Sequence, residues 1–440
     1  MKILWFTNHP CSGADRKPGA TVTGGWHASL EKAVRNRAEL AIAYFSPERR
    51  QEEFIWQGVR YFSMNPFKSP AYPVFRLKRL FMPHKSIEKR LLRRAAEIIE
   101  TVRPDIIHVH GTERCFGLIC GKRNCGGVLC GGGRDGYYTD ASGREIPVAI
   151  SVQGFMSACT EHFFTGIPRE QARKYESIGS KLRKQSVFWL YRQFAMRAET
   201  EKEILRSAKF ILGRTQWDKD MTAAANPDRE YFTVGEIMRG EFFSPAWDKK
   251  SFSPVIRIAS TLSTGPYKGF DNILKTAAVL KKNGKIRFEW TVIGYERGDE
   301  YVRIAEKALG ISPDDVCVGF IGKQNAESLA AFLRESDIYC QVSHIENSPN
   351  SLAEAMLLGM PVIATNVGGT SSMLRDGEEG MLVTDCDSEK YAEAIELTAS
   401  DFDAAASKGA AARAAALQRH SPDTVTAQLF AAYDSILKNS

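Results

Sequence analysis

Two glutamates, Glu346 and Glu354, bracket the stretch of this 440-residue chain richest in groups that could do chemistry. Between them, Ser348-Pro349 opens a helical pattern that follows a strand ending near Val342. Ser348 suits the N-cap and Pro349 the first helical position, where a missing N–H costs nothing. The N–H groups of Asn350, Ser351 and Leu352 would then point outward at the positive end of the helix dipole. That is an anion site suited to a pyrophosphate. At about 1.5 Å per residue, Glu354 falls roughly one turn further on, where a carboxylate could accept hydrogen bonds from ribose hydroxyls. Glu346 precedes the helix, on the side where a sugar beyond the diphosphate would sit. Lys268, in Gly265-Pro266-Tyr267-Lys268-Gly269-Phe270, offers an ammonium that could neutralise a leaving diphosphate. Gly24-Gly25-Trp26 would turn tightly into a helix and let backbone approach the same phosphates. Cys115, Cys120, Cys125 and Cys130 recur at intervals of five, which is not a zinc spacing, so no metal site is expected there.

Elements that could position these groups alternate along the whole chain. Strand candidates in the first half are Ile3–Phe6, Leu40–Phe45, Ile106–His110, Val148–Val152 and Phe210–Gly213. In the second half they are Val255–Ser260, Phe288–Ile293, Val316–Ile321, Ile338–Val342, Val362–Thr365 and Met381–Val383. Amphipathic segments such as Trp26–Asn36, Ile87–Val102, Phe270–Lys282, Ala326–Arg334 and Leu352–Leu358 fall between them. This alternation predicts parallel sheets covered by helices, and the length predicts two such units in series. The expected division is 1–245 and 246–422, with a last helix, 423–440, crossing back onto the first domain. Cys120–Gly143, with eight glycines, reads as an inserted loop.

Charge is unevenly spread. Residues 1–250 hold 41 Lys+Arg against 27 Asp+Glu, and the remainder 18 against 25. The basic half is expected to face something anionic. Arg76–Arg94, with eight Lys/Arg, one Glu and interleaved leucines, reads as a segment for an anionic membrane surface. Lys181–Arg197, with Phe188, Trp189, Tyr191 and Phe194, adds to that reading. No run of 18 apolar residues predicts a membrane-spanning helix. Nine cysteines without an export signal point to a reducing cytoplasm.

The paired glutamates, followed by Ala355-Met356-Leu357-Leu358-Gly359-Met360-Pro361-Val362-Ile363-Ala364-Thr365 and Val367-Gly368-Gly369, closely resemble family 4 glycosyltransferases. Weaker matches at Gly24-Gly25, Pro104–Gly111 and Lys268-Gly269 extend the resemblance over most of the chain. It implies the GT-B fold, two Rossmann-like doubly wound α/β domains facing each other across a cleft. It also implies a retaining glycosyltransferase of hexosyltransferase type that uses a nucleotide-diphosphate sugar and needs no cofactor. The acceptor it suggests is a glycan or lipid-linked molecule of cell-envelope polysaccharide biosynthesis. Site roles implied are ribose binding for Glu354, donor-sugar contact for Glu346, and diphosphate contact for Lys268 and the Ser351 and Leu352 amides. Where the family usually has an arginine before the lysine, this chain has Ser260-Thr261-Leu262, which leaves Arg214 and Arg239 as candidate replacements. Gln153 stands where the family often has histidine near the reacting sugar. An amide does not titrate, so it serves as neither acid nor base but can still hydrogen-bond a sugar hydroxyl. The route usually given for this family is front-face attack, with the departing phosphate taking the acceptor's proton, and it tolerates glutamine.

Other readings stay in view. A dinucleotide-dependent oxidoreductase needs G-x-G-x-x-G after its first strand, and Asn8–Gly25 lacks that spacing. A GT-B epimerase or phosphorylase shares the fold. A nucleotide-sugar-binding scaffold with weak turnover is consistent with the missing arginine. Nucleic-acid binding finds no motif.

Overall fold

The computed structural model describes residues 1–16, 25–46, 51–65, 84–121 and 134–439. Gly24, Cys125, Cys130 and the basic stretch up to Pro83 lie outside them. The chain divides into two units: Met1–Met156 with Arg197–Ile237 and Ser421–Ser440, and Ser157–Met196 with Met238–His420.

The strands of the first unit are β1 (Lys2–Thr7), β2 (Glu39–Phe45), β3 (Glu53–Trp56), β4 (Val59–Met64), β5 (Ile106–His110), β6 (Tyr137–Thr139), β7 (Glu145–Ser151), β8 (Phe210–Gly213) and β9 (Glu230–Thr233). They form one sheet in the order β3-β4-β2-β1-β5-β7-β8-β9, with β6 beside β7. All neighbours are parallel except β3–β4 and β6–β7. β1 lies centrally, and Ile3, Leu4, Trp5 and Phe6 are wholly buried, as a strand covered on both faces requires. The helices here are α1 (Gly25–Val34), α2 (His84–Val102) and, later in the chain, α7 (Gln216–Ala225) and α14 (Pro422–Lys438). α14 is fastened to this sheet through Tyr433, whose hydroxyl meets Trp5 Nε1 at 3.1 Å and His108 Nδ1 at 2.6 Å.

The second unit holds β10 (Ile256–Thr261), β11 (Phe288–Ile293), β12 (Val318–Gly322), β13 (Ile338–Gln341), β14 (Val362–Thr365) and β15 (Met381–Val383). These run parallel in the order β12-β11-β10-β13-β14-β15. Its helices are α3 (Met156–Glu161), α4 (Arg169–Tyr175), α5 (Ile178–Arg183), α6 (Val187–Ser207), α8 (Phe270–Asn283), α9 (Glu300–Leu309), α10 (Ala326–Glu335), α11 (Asn350–Leu358), α12 (Ser388–Ser400) and α13 (Phe402–Arg419); α3 and α6 give residues to both units.

The division differs from a single boundary at 245. Residues 157–196 belong to the second unit because their apolar payload is spent there. Phe163 and Phe194 are buried, and the Phe194 ring centroid lies 5.6 Å from that of Tyr267. Ser177 N donates to Glu300 at 3.1 Å, and Lys275 Nζ to the Gly166 carbonyl at 3.1 Å. The segment before residue 246 is likewise committed: Phe242 is fully buried, and Arg413 Nη2 donates to the Phe243 carbonyl at 2.7 Å. Part of Cys120–Gly143 is also not loop, since Tyr137–Thr139 pairs antiparallel with β7.

Candidate functional site

In the second sheet the strand order reverses between β10 and β13, its first and fourth strands in sequence. Crevices at the carboxyl ends of strands at such a switch point are where open α/β sheets bind ligands. Lys268 follows β10 and Glu346 follows β13, so each sits on a loop leaving one side of that switch. The two loops are brought close by glycine. Gly269 has φ +79°, and a Cβ there would collide with the Val342 carbonyl oxygen. Gly368 has φ +52°, and its Cβ would collide with the Glu346 carbonyl, which also accepts the Gly369 N–H at 3.0 Å. The glycines of the K-G and V-G-G motifs therefore hold the Lys268 and Glu346 loops in register.

Lys268 Nζ lies 2.6 Å from Glu346 Oε1, which also accepts the Ser343 hydroxyl at 2.8 Å. Glu346 Oε2 has no hydrogen bond among the described residues, so one carboxylate oxygen remains for a ligand hydroxyl. Burial pulls the Lys268 pKa down, but the adjacent Glu346 carboxylate outweighs it and holds the ammonium above its ordinary value. The lysine is thus charged throughout the physiological range.

α11 begins at Asn350, one residue later than the capping pattern predicts. Pro349 is itself the N-cap, with ψ 113°, and no side chain caps the helix. The proline ring fixes φ but leaves ψ free, and the extended ψ of Pro349 moves the first helical residue along by one. The Leu352 N–H already donates to the Pro349 carbonyl at 3.0 Å. The Asn350 and Ser351 amides, as the first of the helix, have no intrahelical partner. One turn on, Glu354 is 6% exposed, and its Oε1 takes both Arg239 Nε at 2.8 Å and Arg239 Nη2 at 2.6 Å. Burial pushes its pKa up to about 7; Arg239 opposes this and Glu241 adds to it.

Residues 248–414 match the family model described as glycosyl transferases group 1. The D-inositol 3-phosphate glycosyltransferase of Arthrobacter sp. is 32% identical over 151 residues, 34% of this chain and 35% of that protein. The amylovoran biosynthesis glycosyltransferase AmsK of Erwinia amylovora is 29% identical over 143 residues, 31% of this chain and 34% of that protein. The chain thus spans about a third of the length of each of these relatives. Among solved structures, sucrose-phosphate synthase from Thermosynechococcus elongatus superposes with TM-score 0.68 at 14% identity, covering 100% of both chains. Anabaena HepE in complex with UDP-glucose gives 0.60 at 15% identity, covering 99% of this chain and 100% of that one. The fold is GT-B.

Within this GT-B chain Lys268, Glu346, Asn350, Ser351, Leu352 and Glu354 come together in the second unit. Gly25 and Gln153 belong to the first. Gly25 opens α1. Gln153 Nε2 lies 3.1 Å from His27 Nε2, and its carbonyl accepts Arg214 Nη2 at 3.1 Å. Arg214 is otherwise spent on a buried ion pair with Glu236, and Arg239 on Glu354. Ser260, near the usual arginine position, accepts Trp290 Nε1 at 3.0 Å and donates to the Cys340 carbonyl at 2.6 Å.

Sequence reasoning missed a buried cluster beside this site. His344 Nε2 lies 2.9 Å from Asp271 Oδ1, and Nδ1 lies 2.9 and 3.0 Å from the two Asp385 oxygens. Burial lowers the ring's pKa, but the two carboxylates outweigh it and push it up to about 12. Cys386 Sγ is 3.5 Å from Nδ1, and His344, Asp385 and Cys386 are the one group among the described residues whose donor atoms could hold a metal ion. Each ring nitrogen already faces a carboxylate, so a metal would have to displace the Nδ1 proton. The residues are far apart in sequence, and no spacing rule links them.

Proposed function

We propose that the protein is a glycosyltransferase that transfers a sugar, with retention, from a nucleotide-diphosphate sugar to a glycan or lipid-linked acceptor of cell-envelope polysaccharide biosynthesis. The observation that carries this reading is the Lys268–Glu346 pair at the sheet switch point, beside the free amides of α11 and one turn from Glu354. The two relatives that are glycosyltransferases by name, and the UDP-glucose bound to HepE, support a nucleotide-sugar donor. In this reading the Asn350 and Ser351 amides and Lys268 bind the diphosphate, and Glu354 the ribose. The free oxygen of Glu346 orients the donor sugar. The bond from the anomeric carbon to the phosphate oxygen breaks, and the acceptor oxygen bonds on the same face. Its proton passes to the departing phosphate, whose charge Lys268 neutralises. Gly25 and Gln153 keep the roles the resemblance implies, and neither cofactor nor metal takes part.

A thermal-shift screen of UDP-, GDP- and ADP-sugars tests donor binding. At a hundred times Kd the native state gains about 2.7 kcal/mol, enough to raise Tm measurably. Product NMR with the donor found should show a retained anomeric configuration, in chelator as in its absence. An inverted product, or activity lost to chelator and restored by a divalent ion, would reject these parts of the reading.

We further propose a cytoplasmic enzyme that docks on anionic membranes. No helix among the described residues is long and apolar enough to cross one. Leu91 and Leu92 of α2 are buried, and so is Phe194 of α6, so these apolar residues serve the core and not a lipid surface. Instead, α5 exposes Ile178 (75%) and Leu182 (81%), and α6 leaves Trp189 38% exposed, with Lys181 and Lys184 nearby in sequence. Co-sedimentation with anionic liposomes should fall with salt. It should weaken in Ile178→Ser/Leu182→Ser. Equal, negligible binding to anionic and neutral liposomes at low salt would reject docking.

A further inference from the structure

We propose that His344 is a positioning residue that sets Glu346 against Lys268, acting as a fixed cation wedged between Asp271 and Asp385. The inference rests on the functional reading above for its kinetic consequence, but its geometry stands on its own.

Three chain segments meet at the ring. Asp271 is the second residue of α8, which starts just after Lys268-Gly269. His344 lies between β13 and α11, two residues before Glu346. Asp385 lies on the loop between β15 and α12. A neutral imidazole donates from one nitrogen and accepts at the other. Here both nitrogens face carboxylate oxygens at 2.9–3.0 Å. A bare lone pair against a carboxylate repels, so only the doubly protonated ring satisfies both contacts. Other groups complete the node. Lys275 Nζ sits 2.9 Å from Asp271 Oδ2, and Asn272 Nδ2 donates to Asp385 Oδ1 at 3.0 Å and to the Val342 carbonyl at 2.9 Å. Two carboxylates and two cations therefore balance in a site where an unpaired charge is costly.

The backbone carries this order to the reacting groups. His344 N donates to the Tyr267 carbonyl at 2.8 Å, next to Lys268. The histidine thus fixes the loop of Glu346 to the turn of Lys268 by main chain on one side and by ring on the other. It touches neither the ammonium nor the Glu346 carboxylate. Its effect falls on where Glu346 stands relative to Lys268.

The test uses the full-length chain and two variants, His344→Gln and Asp385→Asn. His344→Gln carries its donors on a single nitrogen, which cannot replace two ring nitrogens facing Asp271 and Asp385, and Glu346 should then drift. With the donor sugar nucleotide, kcat should fall about 10–100-fold. The Kd for the nucleoside diphosphate, by calorimetry, should stay within about threefold, because Lys268 keeps its own turn, where its N–H donates to the Gly265 carbonyl at 3.0 Å, and it is Glu346 that drifts. Asp385→Asn keeps an oxygen for the Nδ1 proton and should retain most of the turnover that His344→Gln loses. Unchanged kcat in His344→Gln overturns the proposal. So does diphosphate affinity falling in step with kcat, which marks general collapse. A second readout needs neither donor nor turnover. Long-range 1H–15N spectra of the wild-type protein at about pH 8 should show both His344 nitrogens protonated, unlike an ordinary histidine with a pKa of about 6.5. A singly protonated ring, or one zinc per chain that is lost in Asp385→Asn, overturns it. If the wild type binds and transfers no sugar nucleotide, the functional reading fails, and the spectra with a crystal structure of His344→Gln still decide the positioning. An intact Lys268–Glu346 contact in that variant would refute it. Should His344→Gln not fold, the spectra and Asp385→Asn carry the decision.

Discussion

Lys268→Met is expected to lower kcat/KM for sugar transfer by roughly 10²–10³-fold, the scale of losing one preorganised charge at developing negative charge. The lysine side chain is 18% exposed and its Nζ is held 2.6 Å from Glu346 Oε1, so the ammonium needs little reorganisation as the diphosphate departs. It has three donors, and Glu346 uses one. Methionine keeps the stem and removes all three. Affinity for the nucleoside diphosphate should fall by about 1.5–3 kcal/mol, the usual range for a hydrogen bond to a charged group. The rest of the loss should appear in kcat, because charge on the leaving group grows toward the transition state. Lys268→Met also strips Glu346 of its counter-ion, so a double variant with Glu346→Gln separates the two effects. If the lysine acts only by holding Glu346, the double variant should be no worse than Glu346→Gln alone. If it acts on the diphosphate, the double variant should keep the full loss of affinity. Wild-type affinity and turnover in Lys268→Met would mean the diphosphate sits elsewhere.

The elements that frame this site were the legible ones. Buried parallel strands are short segments dense in apolar residues, and Ile106–His110, Phe288–Ile293 and Val362–Thr365 begin and end where the sequence indicates. The β3–β4 hairpin was not read, because its turn is Gln57-Gly58, both with positive φ, and not the Asn-Gly or Asp-Gly that signals such turns. The allegiance of residues 157–196 was illegible for another reason. Helical periodicity says which face of α6 is apolar, but not whether Phe194 meets its own sheet or Tyr267. In the site, motif residues were readable because a helix start, a glycine turn and a carboxylate each have local signatures. The Arg239–Glu354 and His344–Asp271–Asp385 contacts have none. They join residues 115, 73 and 41 positions apart, and only the assembled sheet brings them together. The chain also departs from the family it resembles: Ser260-Thr261-Leu262 stands where that family has an arginine before the lysine, and Arg239 is engaged with Glu354.

The two glutamates should separate cleanly. Glu354→Gln is expected to weaken both the free nucleoside diphosphate and the sugar nucleotide by about 1.5–3 kcal/mol, since ribose is common to both. Glu346→Gln should leave free-nucleotide affinity nearly intact and lower kcat, because only the sugar is misplaced. pH adds a second signature with opposite signs for stability and binding. Burial raises the native pKa of Glu354 from 4.5 to about 7, so the native state favours the protonated carboxyl. That preference contributes stability fully present below pH 4.5 and lost as pH rises through about 7, on the order of 3 kcal/mol at most. The Tm of ligand-free wild type, measured against Glu354→Gln, should therefore fall between about pH 5 and pH 8. Ribose hydroxyls donate best to the ionised form, so the affinity advantage of wild type over Glu354→Gln should grow across the same window. Taking the difference between the two proteins cancels the titration of the nucleotide and of His344, Asp271 and Asp385. Calorimetry with the nucleoside diphosphate, beside melting curves at matched pH, measures both trends. A pH-independent difference in Tm and affinity would show a Glu354 that stays ionised beside Arg239 throughout. Equal loss of free-nucleotide binding in both variants would show that Glu346, too, contacts the nucleotide, and the division of roles would be wrong.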